Sequence, residues 1–515
     1  MVDILTPPPP DRYNFAADIF ARNIDRTERI AYIDDETKLS YGELIDQARR
    51  FGAGLLALGL RREERVLLLM YDSVTWPVAF LGSLYAGVVP VAVNSLLTAD
   101  DYAYMLEHSA ARAAVVSSTL LDVLNRAKGS ASHQLEHIIT SGGATDTDSE
   151  IAMQDLIANH APLANAADTL ADDVAFWLYS SGSTGRPKGT VHVHSSPYWT
   201  AELYGRGVLD MRQDDICFSA AKLFFAYGLG NSLSFPLSVG ATVVLMSGRP
   251  TPEAIFEKWA THRPTLFFSA PTSYAGLLAS PELPQAEDVT LRLCSSAGEA
   301  LPEDLGSRFS AHFGVDVIDG IGSTEMLHIF LSNAPGRVRY GSTGWPVPGY
   351  EIELRGEDDQ PVPAGTTGEL FIKGPTAAIM YWGDRKKSRQ TFQGIWTKSG
   401  DQYVENDDGS YTYIGRSDDM FKVSGQYVSP FEVEATLIQH DAVLESAVVG
   451  LADHDGLIKS KAFVVLTPGS EVTADELKQF VKERLAPFKY PRSVEFLAEL
   501  PKTATGKIMR FKLRE

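Results

Sequence analysis

The sequence predicts an α/β protein, with a large multilayer N-terminal domain followed by a smaller domain of mixed helices and strands. Three observations predict it. Stretches with helical apolar spacing alternate with short apolar runs at the interval typical of parallel α/β layers. The chain has 515 residues, beyond the size at which one hydrophobic core normally divides. Its character also changes after Gly415, where Asp418-Asp419-Met420-Phe421-Lys422-Val423-Ser424-Gly425 leads into a tail with its own apolar segments, long enough to form a small packed domain.

Residues 1–13, with the run Pro7-Pro8-Pro9-Pro10, read as a proline-stiffened flexible tail. Ser40 and Glu43 form a capping-box pattern that opens a helix, and Gly59 marks its stop. Residues 65–70 then read as a buried strand, 75–85 as an amphipathic helix and 88–91 as a second strand. Further strands are expected at 113–116, 241–245 and 265–268, and in the tail at 447–450 and 462–466. Residues 138–173 are rich in Thr, Ser, Asp and Ala, with little apolar periodicity outside 151–157, and read as a surface excursion. No internal repeat is evident.

The formal charge of −20 argues against general attraction to nucleic acid or anionic membrane, while leaving room for a local basic patch that receives a phosphorylated ligand. No segment approaches a membrane span, and the N-terminus lacks a basic region followed by a long apolar stretch, so a cytoplasmic protein is expected. Cys217 and Cys294 sit in apolar surroundings without ligand spacing and read as buried thiols.

The densest chemical signal is S-S-G-S-T-G-R-P-K-G at 180–189, directly after the apolar segment 174–179. A strand running into such a loop offers free amides and the hydroxyls of Ser180, Ser181, Ser183 and Thr184 to phosphate oxygens, with Gly182, Gly185 and Gly189 permitting tight turns. It is not a Walker A loop, because Arg186 and Pro187 separate Gly185 from Lys188. The fragment S-G-S-T-G alone is equally readable as a flexible linker.

Four further motifs follow in order: D-G-I-G-S-T-E at 319–325, W-T-K-S-G-D at 396–401, Y-I-G-R-S-D-D at 413–419 and P-K-T-A-T-G-K at 501–507. Together with the glycine-rich loop they resemble the adenylate-forming superfamily of acyl-CoA ligases, luciferases and peptide-synthetase adenylation domains, over most of residues 12–515. The resemblance implies the adenylate-forming fold, with a large ATP- and acyl-binding domain at 14–417 and a mobile α+β C-terminal domain at 418–515. It also implies activation of a carboxylate in two halves, with ATP, Mg2+ and coenzyme A.

Residue by residue, the resemblance makes Lys507 the catalytic lysine that bridges the attacking carboxylate and the α phosphate. Thr184 and Lys188 orient the β and γ phosphates, and Arg186 either adds charge or points outward. Glu325 is the magnesium carboxylate, directly or through water, and Thr324 bonds the α phosphate. Asp401 holds the ribose, reinforced by Arg416, while Gly298-Glu299-Ala300 and Asp319-Gly320-Ile321 surround adenine. Asp418 is the hinge, and Lys422, Ser424 and Gly425 approach the thioester-forming site after domain rotation.

The segment Lys222-Leu223-Phe224-Phe225-Ala226-Tyr227-Gly228-Leu229-Gly230-Asn231 reads either as ordinary core or as the wall of a flat pocket. The closer resemblance is to the benzoate-CoA ligase branch, which makes Ala226, Tyr227, His328 and Ile329 the acyl-recognition positions. His328 is then a polar pocket wall or a surface histidine. A small aromatic carboxylic acid is the expected substrate, benzoate first, with hydroxybenzoate, aminobenzoate or another small acid as alternatives. An adenylation domain that loads a carrier protein is a further alternative, and the sequence leaves monomer and homo-oligomer both open.

Overall fold

The computed structural model of the protein describes residues 6–143, 150–180, 186–423, 426–452, 457–486, 488–502 and 508–514. Its large part is organised around two sheets with helices between and outside them. The eight-stranded sheet runs, edge to edge, through Met380–Tyr381, Lys188–Val193, Val174–Ser180, Val89–Ala92, Arg65–Leu69, Ala113–Ser117, His137–Ser141 and Glu150–Ala152. The nine-stranded sheet runs through Trp345–Pro346, Ile329–Ser332, Val317–Gly322, Leu293–Ser296, Leu266–Ser269, Ile216–Ser219, Thr242–Val244, Ile30–Ile33 and Lys38–Ser40. Central pairings are parallel, whereas the functional edges, Val174–Ser180 with Lys188–Val193 and Val317–Gly322 with Ile329–Ser332, are antiparallel.

Strand alternation explains why the central strands read as continuous apolar runs. Val66 and Leu68 face a core shared by both sheets, while Leu67 and Leu69 face the outer helices Ala99–Ser109 and Leu121–Ser130. The outer face of the nine-stranded sheet is covered by Pro252–His262, Pro271–Ala279 and Glu303–Phe313, through Trp259, Tyr274 and Phe309.

Helix Tyr41–Ala57 begins at the Ser40/Glu43 capping box as the sequence predicts, and Gly59 follows its end at φ +90°. It crosses helix Thr75–Tyr85 closely. A Cβ at Gly52 would lie 2.7 Å from the Gly82 carbonyl oxygen, so the approach requires glycine. Thr75–Tyr85 is not amphipathic as expected: every residue from 76 to 85 is buried, because the helix lies between the two sheets.

Two other expectations are corrected. The supposed excursion at 138–173 contributes His137–Ser141 and Glu150–Ala152 as the last two strands at one side of the eight-stranded sheet, followed by helix Met153–Ala158, whose Leu156 packs beneath Gly54. These strands are short and polar-flanked, so periodicity could not reveal them. Residues 6–13, expected within a flexible tail, are packed on the large domain: Tyr13 is buried, its amide donates to Thr169 O at 3.0 Å, and the Tyr198 hydroxyl donates to Pro7 O at 2.7 Å. Cys217 and Cys294 are free and buried, as predicted.

A smaller sheet of Glu351–Arg355, Gly368–Lys373, Trp396–Glu405, Phe392–Gln393 and Tyr411–Arg416 leads to the C-terminal part. There Val443–Ala452, Ile458–Leu466 and Ser493–Phe496 form a three-stranded sheet that packs with helices Pro430–Ile438 and Ala474–Lys482 around Val433, Leu437, Val448, Val464, Leu477 and Val481.

Candidate active site

A cleft of about 1510 Å3 opens where the antiparallel edges of the two large sheets meet, and it is bordered by segments of the C-terminal part. The hairpin of Val174–Ser180 and Lys188–Val193 pairs Ser180 with Lys188 and so closes the ends of the glycine-rich segment. Ser181, Gly182, Ser183, Thr184 and Gly185 lie outside the described residues, as do Ser424, Gly425 and Lys507. Lys422 falls on the strand Phe421–Val423, but its side chain is outside the description.

Lys188 reaches across to the other sheet. Its Nζ donates to Glu325 Oε1 at 3.4 Å and lies 3.1 Å from the Tyr381 hydroxyl, which itself donates to Glu325 Oε1 at 2.6 Å. Burial pushes the Glu325 carboxyl upward, yet the Lys188 charge and the Tyr381 hydroxyl outweigh it and hold the group below its ordinary range. An ionised carboxylate therefore stands on the cleft wall. Among the described residues no cluster of three His, Cys, Asp or Glu side chains could hold a metal. A single ionised carboxylate is nevertheless suited to Mg2+, which keeps waters and takes its remaining ligands from substrate phosphates.

Thr324 borders the cleft, and its carbonyl accepts from His192 Nε2 at 2.8 Å. Burial drives the His192 pKa down to about 4, so the ring is a neutral support for the Thr324 turn. Sequence reading missed both His192 and Tyr381. His192 had a local signal, since 188, 190 and 192 alternate onto one face of the strand. Tyr381 had none, lying 56 residues from Glu325.

The acyl-recognition candidates do come together. Ala226, Tyr227, His328 and Ile329 all line the same cleft. His328 Nε2 lies 3.2 Å from the Tyr227 carbonyl oxygen, a pairing that makes Nε2 the protonated nitrogen and leaves the buried Nδ1 without a partner. Its ring meets Phe235 edge-on at 4.5 Å and Tyr227 at 5.4 Å. The surface-histidine alternative is thereby excluded: His328 is 2% exposed, and burial lowers its pKa to about 3. Between Glu325 and His328 the chain turns through Leu327 at φ +64°, an uncommon conformation for leucine and a mark of local strain.

A second chamber, about 170 Å3, adjoins the cleft and is lined by Gly298, Glu299, Ala300, Asp319, Gly320, Ile321, Asp401, Tyr413 and Arg416. Register sets Asp401 opposite Arg416, with Oδ1 and Nη1 3.4 Å apart. Burial pushes the Asp319 carboxyl up to about 8, although the Leu301 amide donates to it at 3.3 Å. The C-terminal part closes this chamber through Phe431, Glu434, Ile508 and Arg510. The Ile508 amide donates to Glu299 Oε1 at 3.2 Å, immediately beyond the segment that carries Lys507.

Asp418 borders the cleft between two anchored neighbours. The Ser417 amide donates to Gly400 O at 2.9 Å, and Gln402 Nε2 donates to Ser417 Oγ at 3.0 Å, tying that side to the large part. Beyond Asp418, Asp419 is ion-paired to Arg514 at 2.6 Å.

The Val174–Ser180/Lys188–Val193 hairpin with Lys188 at its base, the ionised Glu325 facing it and a chamber bordered by the C-terminal part are consistent with the adenylate-forming α/β ligase fold. The chain belongs to the AMP-binding enzyme family, whose description matches residues 20–382, with the AMP-binding enzyme C-terminal domain matching 432–507. It is closely related to the benzoate-CoA ligase branch and is an AMP-forming acyl-CoA ligase, for which fold and family imply binding of ATP and Mg2+. It is 55% identical to a benzoate-CoA ligase of Thauera aromatica, covering 99% of this chain and 98% of that protein. It is 47% identical to a 4-hydroxybenzoate-CoA/benzoate-CoA ligase of Rhodopseudomonas palustris, covering 98% and 94%. A crystal structure of a benzoate CoA ligase from Burkholderia xenovorans superposes with a TM-score of 0.92 at 57% identity, covering 98% of this chain and all of that one. No described helix is long and apolar enough to cross a membrane.

Proposed function

We propose that this protein is a benzoate-CoA ligase that converts a small aromatic acid first to acyl-AMP and pyrophosphate, then to acyl-CoA and AMP. The observation that carries the reading is the shared cleft: the neutral aromatic wall of Tyr227 and His328 and the ionised Glu325, with Lys188 and Tyr381 bonded to it, border one space. A flat ring with an anionic end is the ligand such a division suits.

The carboxylate enters ionised near neutral pH, so no general base is needed to generate the nucleophile. One of its oxygens attacks the α phosphorus, the bond to the β-phosphate oxygen breaks and pyrophosphate leaves. The obstacle is repulsion between an anion and a polyphosphate, which fixed cations and donors offset without reorganising at the moment of reaction. In this reading Lys507 bridges the two reacting groups, while Thr184, Lys188 and the glycine-rich loop hold the outer phosphates. Thr324 bonds the α phosphate, and Glu325 would hold Mg2+, which supplies charge neutralisation on the phosphates when bound. Asp401 accepts from the ribose hydroxyls with Arg416 beside it, and residues 298–300 and 319–321 enclose adenine.

In the second half the sulfur of coenzyme A attacks the acyl carbon, the bond to AMP breaks and the thiol proton passes to solvent. The two halves compete for one space. Domains at 14–417 and 418–515, turning about Asp418, resolve that competition by withdrawing Lys507 and presenting Lys422, Ser424 and Gly425. The Ser417 anchor to Gly400 and the Asp419 pair with Arg514 support a hinge at the turn around Asp418, where the Asp419 and Met420 amides donate to Arg416 O at 3.0 Å.

The test is coenzyme A-dependent AMP formation across benzoate, its hydroxy and amino derivatives, and medium-chain aliphatic acids. Benzoate is expected to give the highest kcat/KM. Preference for the aliphatic acids overturns the assignment, and transfer to a phosphopantetheinylated carrier but not to free coenzyme A would make the protein a loading domain.

A further inference from the structure

Helix Arg385–Thr391 carries Arg385, Lys386, Lys387 and Arg389 within five positions, in a chain whose net charge is −20. Among the described residues none of these four cations forms an ion pair; Asp384, the nearest acid in sequence, accepts from the Lys387 amide at 2.8 Å as the helix cap and sets one negative charge beside the four positive ones. Glu369, which lines the same cleft, is paired with Lys398 at 2.7 Å. A basic helix on an acidic surface is ordinarily explained by pairing with its neighbours, and here that pairing is missing.

The position of the helix adds a second, independent argument. The Tyr381 amide donates to Ser388 Oγ at 2.9 Å, and the Phe392 ring stacks at a tilt 5.3 Å from the Tyr381 ring. Tyr381 in turn donates to Glu325 and touches Lys188, so the helix is fastened to the ionised side of the cleft. Lys387, Gln390 and Thr391 line the cleft itself, while Arg385, Lys386 and Arg389 of the same helix are exposed. The exposed cations thus share one short helix with residues of the cleft wall and with the Tyr381 contact to Lys188.

We propose that helix Arg385–Thr391 is a landing surface for a di- or triphosphate at the mouth of the cleft. This rests on the ATP-dependent ligase reading above. Arginine and lysine match phosphate oxygens by charge-assisted hydrogen bonds, and a run of like charge beside a low-dielectric cleft raises the local concentration of anions. The same chemistry serves the triphosphate of incoming ATP and departing pyrophosphate.

The experiment uses the full chain with Arg385→Gln, Lys386→Gln and Arg389→Gln combined, and Lys386→Glu alone as a milder variant, each checked by thermal melting. The kcat/KM for MgATP is measured at ionic strengths of about 0.01 and 0.15 M, where the Debye length is about 30 and 8 Å. Calorimetric titration with MgATP and with inorganic pyrophosphate gives affinities that need no turnover. The triple variant is expected to lose about tenfold in kcat/KM at low ionic strength and much less at high, with weakened binding of one or both probes. Loss for MgATP assigns the surface to the inbound nucleotide, and loss for pyrophosphate to the outbound product; either supports the proposal. A folded triple variant with unchanged affinities and an unchanged salt dependence overturns it. Absence of acid-dependent pyrophosphate exchange in the wild type would defeat the ligase reading, and the titrations would still decide this one.

Discussion

The two walls of the cleft respond to burial in opposite ways. On the phosphate side Glu325 keeps its charge, because Lys188 and the Tyr381 hydroxyl contact the same carboxylate oxygen. On the acyl side His328 has no charged partner, and burial alone drives it neutral. His192 lies between these cases: the Glu325 charge favours its protonated form, but desolvation wins and the pKa falls to about 4. Burial therefore removes charge unless an opposite charge is supplied at contact distance. The result is a cleft with an ionic end and a neutral end, suited to a substrate divided the same way.

The largest expected effect comes from the cation assigned to join the two ends. K507A should slow acid-dependent ATP–pyrophosphate exchange by about 10²–10³-fold, the scale of losing one preorganised charge-stabilising donor. Thioester formation from supplied acyl-adenylate should suffer far less. Normal exchange in the folded variant would mean that fixed groups on the phosphate wall suffice.

E325Q keeps the shape of that wall and removes its charge. The kcat/KM for MgATP should fall by about 10–10²-fold and its magnesium dependence should move to higher concentration, while the KM for the aromatic acid stays within about twofold. Equal losses for both substrates would break the division of the cleft.

The Glu299–Ile508 bond joins the chamber to the C-terminal part, and on the proposed domain rotation it would be specific to this arrangement. E299A should therefore reduce pyrophosphate exchange by about tenfold and affect the thioester-forming half less, the loss expected for one charged hydrogen bond of about 1.5 kcal/mol. Equal slowing of both halves would show that the carboxylate acts otherwise than as a pose-specific contact.

G230A tests the acyl side alone. The added Cβ would lie 2.3 Å from His328 Cδ2 and 2.6 Å from Nε2, so the ring must move. Overpacking of this kind costs about 1–3 kcal/mol in stability, and the KM for the aromatic acid should rise while that for MgATP does not. A wild-type KM for the acid would show that His328 does not shape the pocket.

The smallest effect is on stability against pH. His192 and His328 titrate near 4 and 3 in the folded protein against 6.5 when unfolded. The unfolded chain then binds more protons below pH 6.5, so stability falls as pH drops toward 3, by on the order of 1 kcal/mol per unit for each ring. Asp319 acts in the other sense. Its folded value of about 8 against 3.8 means that its contribution declines as pH rises across that interval. In denaturant titrations H328F should flatten the loss of stability below pH 6.5, and D319N should remove the decline between about pH 4 and 8; unchanged slopes would show that these groups do not set them.

Much of the fold was legible because its signals are local. The capping box at Ser40, the apolar runs at 65–70 and 113–116, and the change after Gly415 each depend on neighbours in the chain. The buried character of Thr75–Tyr85 and the outer strands at His137–Ser141 and Glu150–Ala152 were not legible, since a helix between two sheets and a short strand near a sheet edge are defined by what packs on them. The same contrast holds at the site. The motifs named Lys188, Glu325, Asp401 and Arg416, but not Tyr381, which completes the ionic group, nor Ile508, which meets Glu299.

What the sequence by itself determined is the set of chemical groups and their order, because motif residues and helix or strand periods are properties of short stretches of chain. Only the tertiary structure decided which of those groups stay charged. Ionisation depends on the distance to partners and the loss of water, and Lys188 meets Glu325 across 137 residues of sequence.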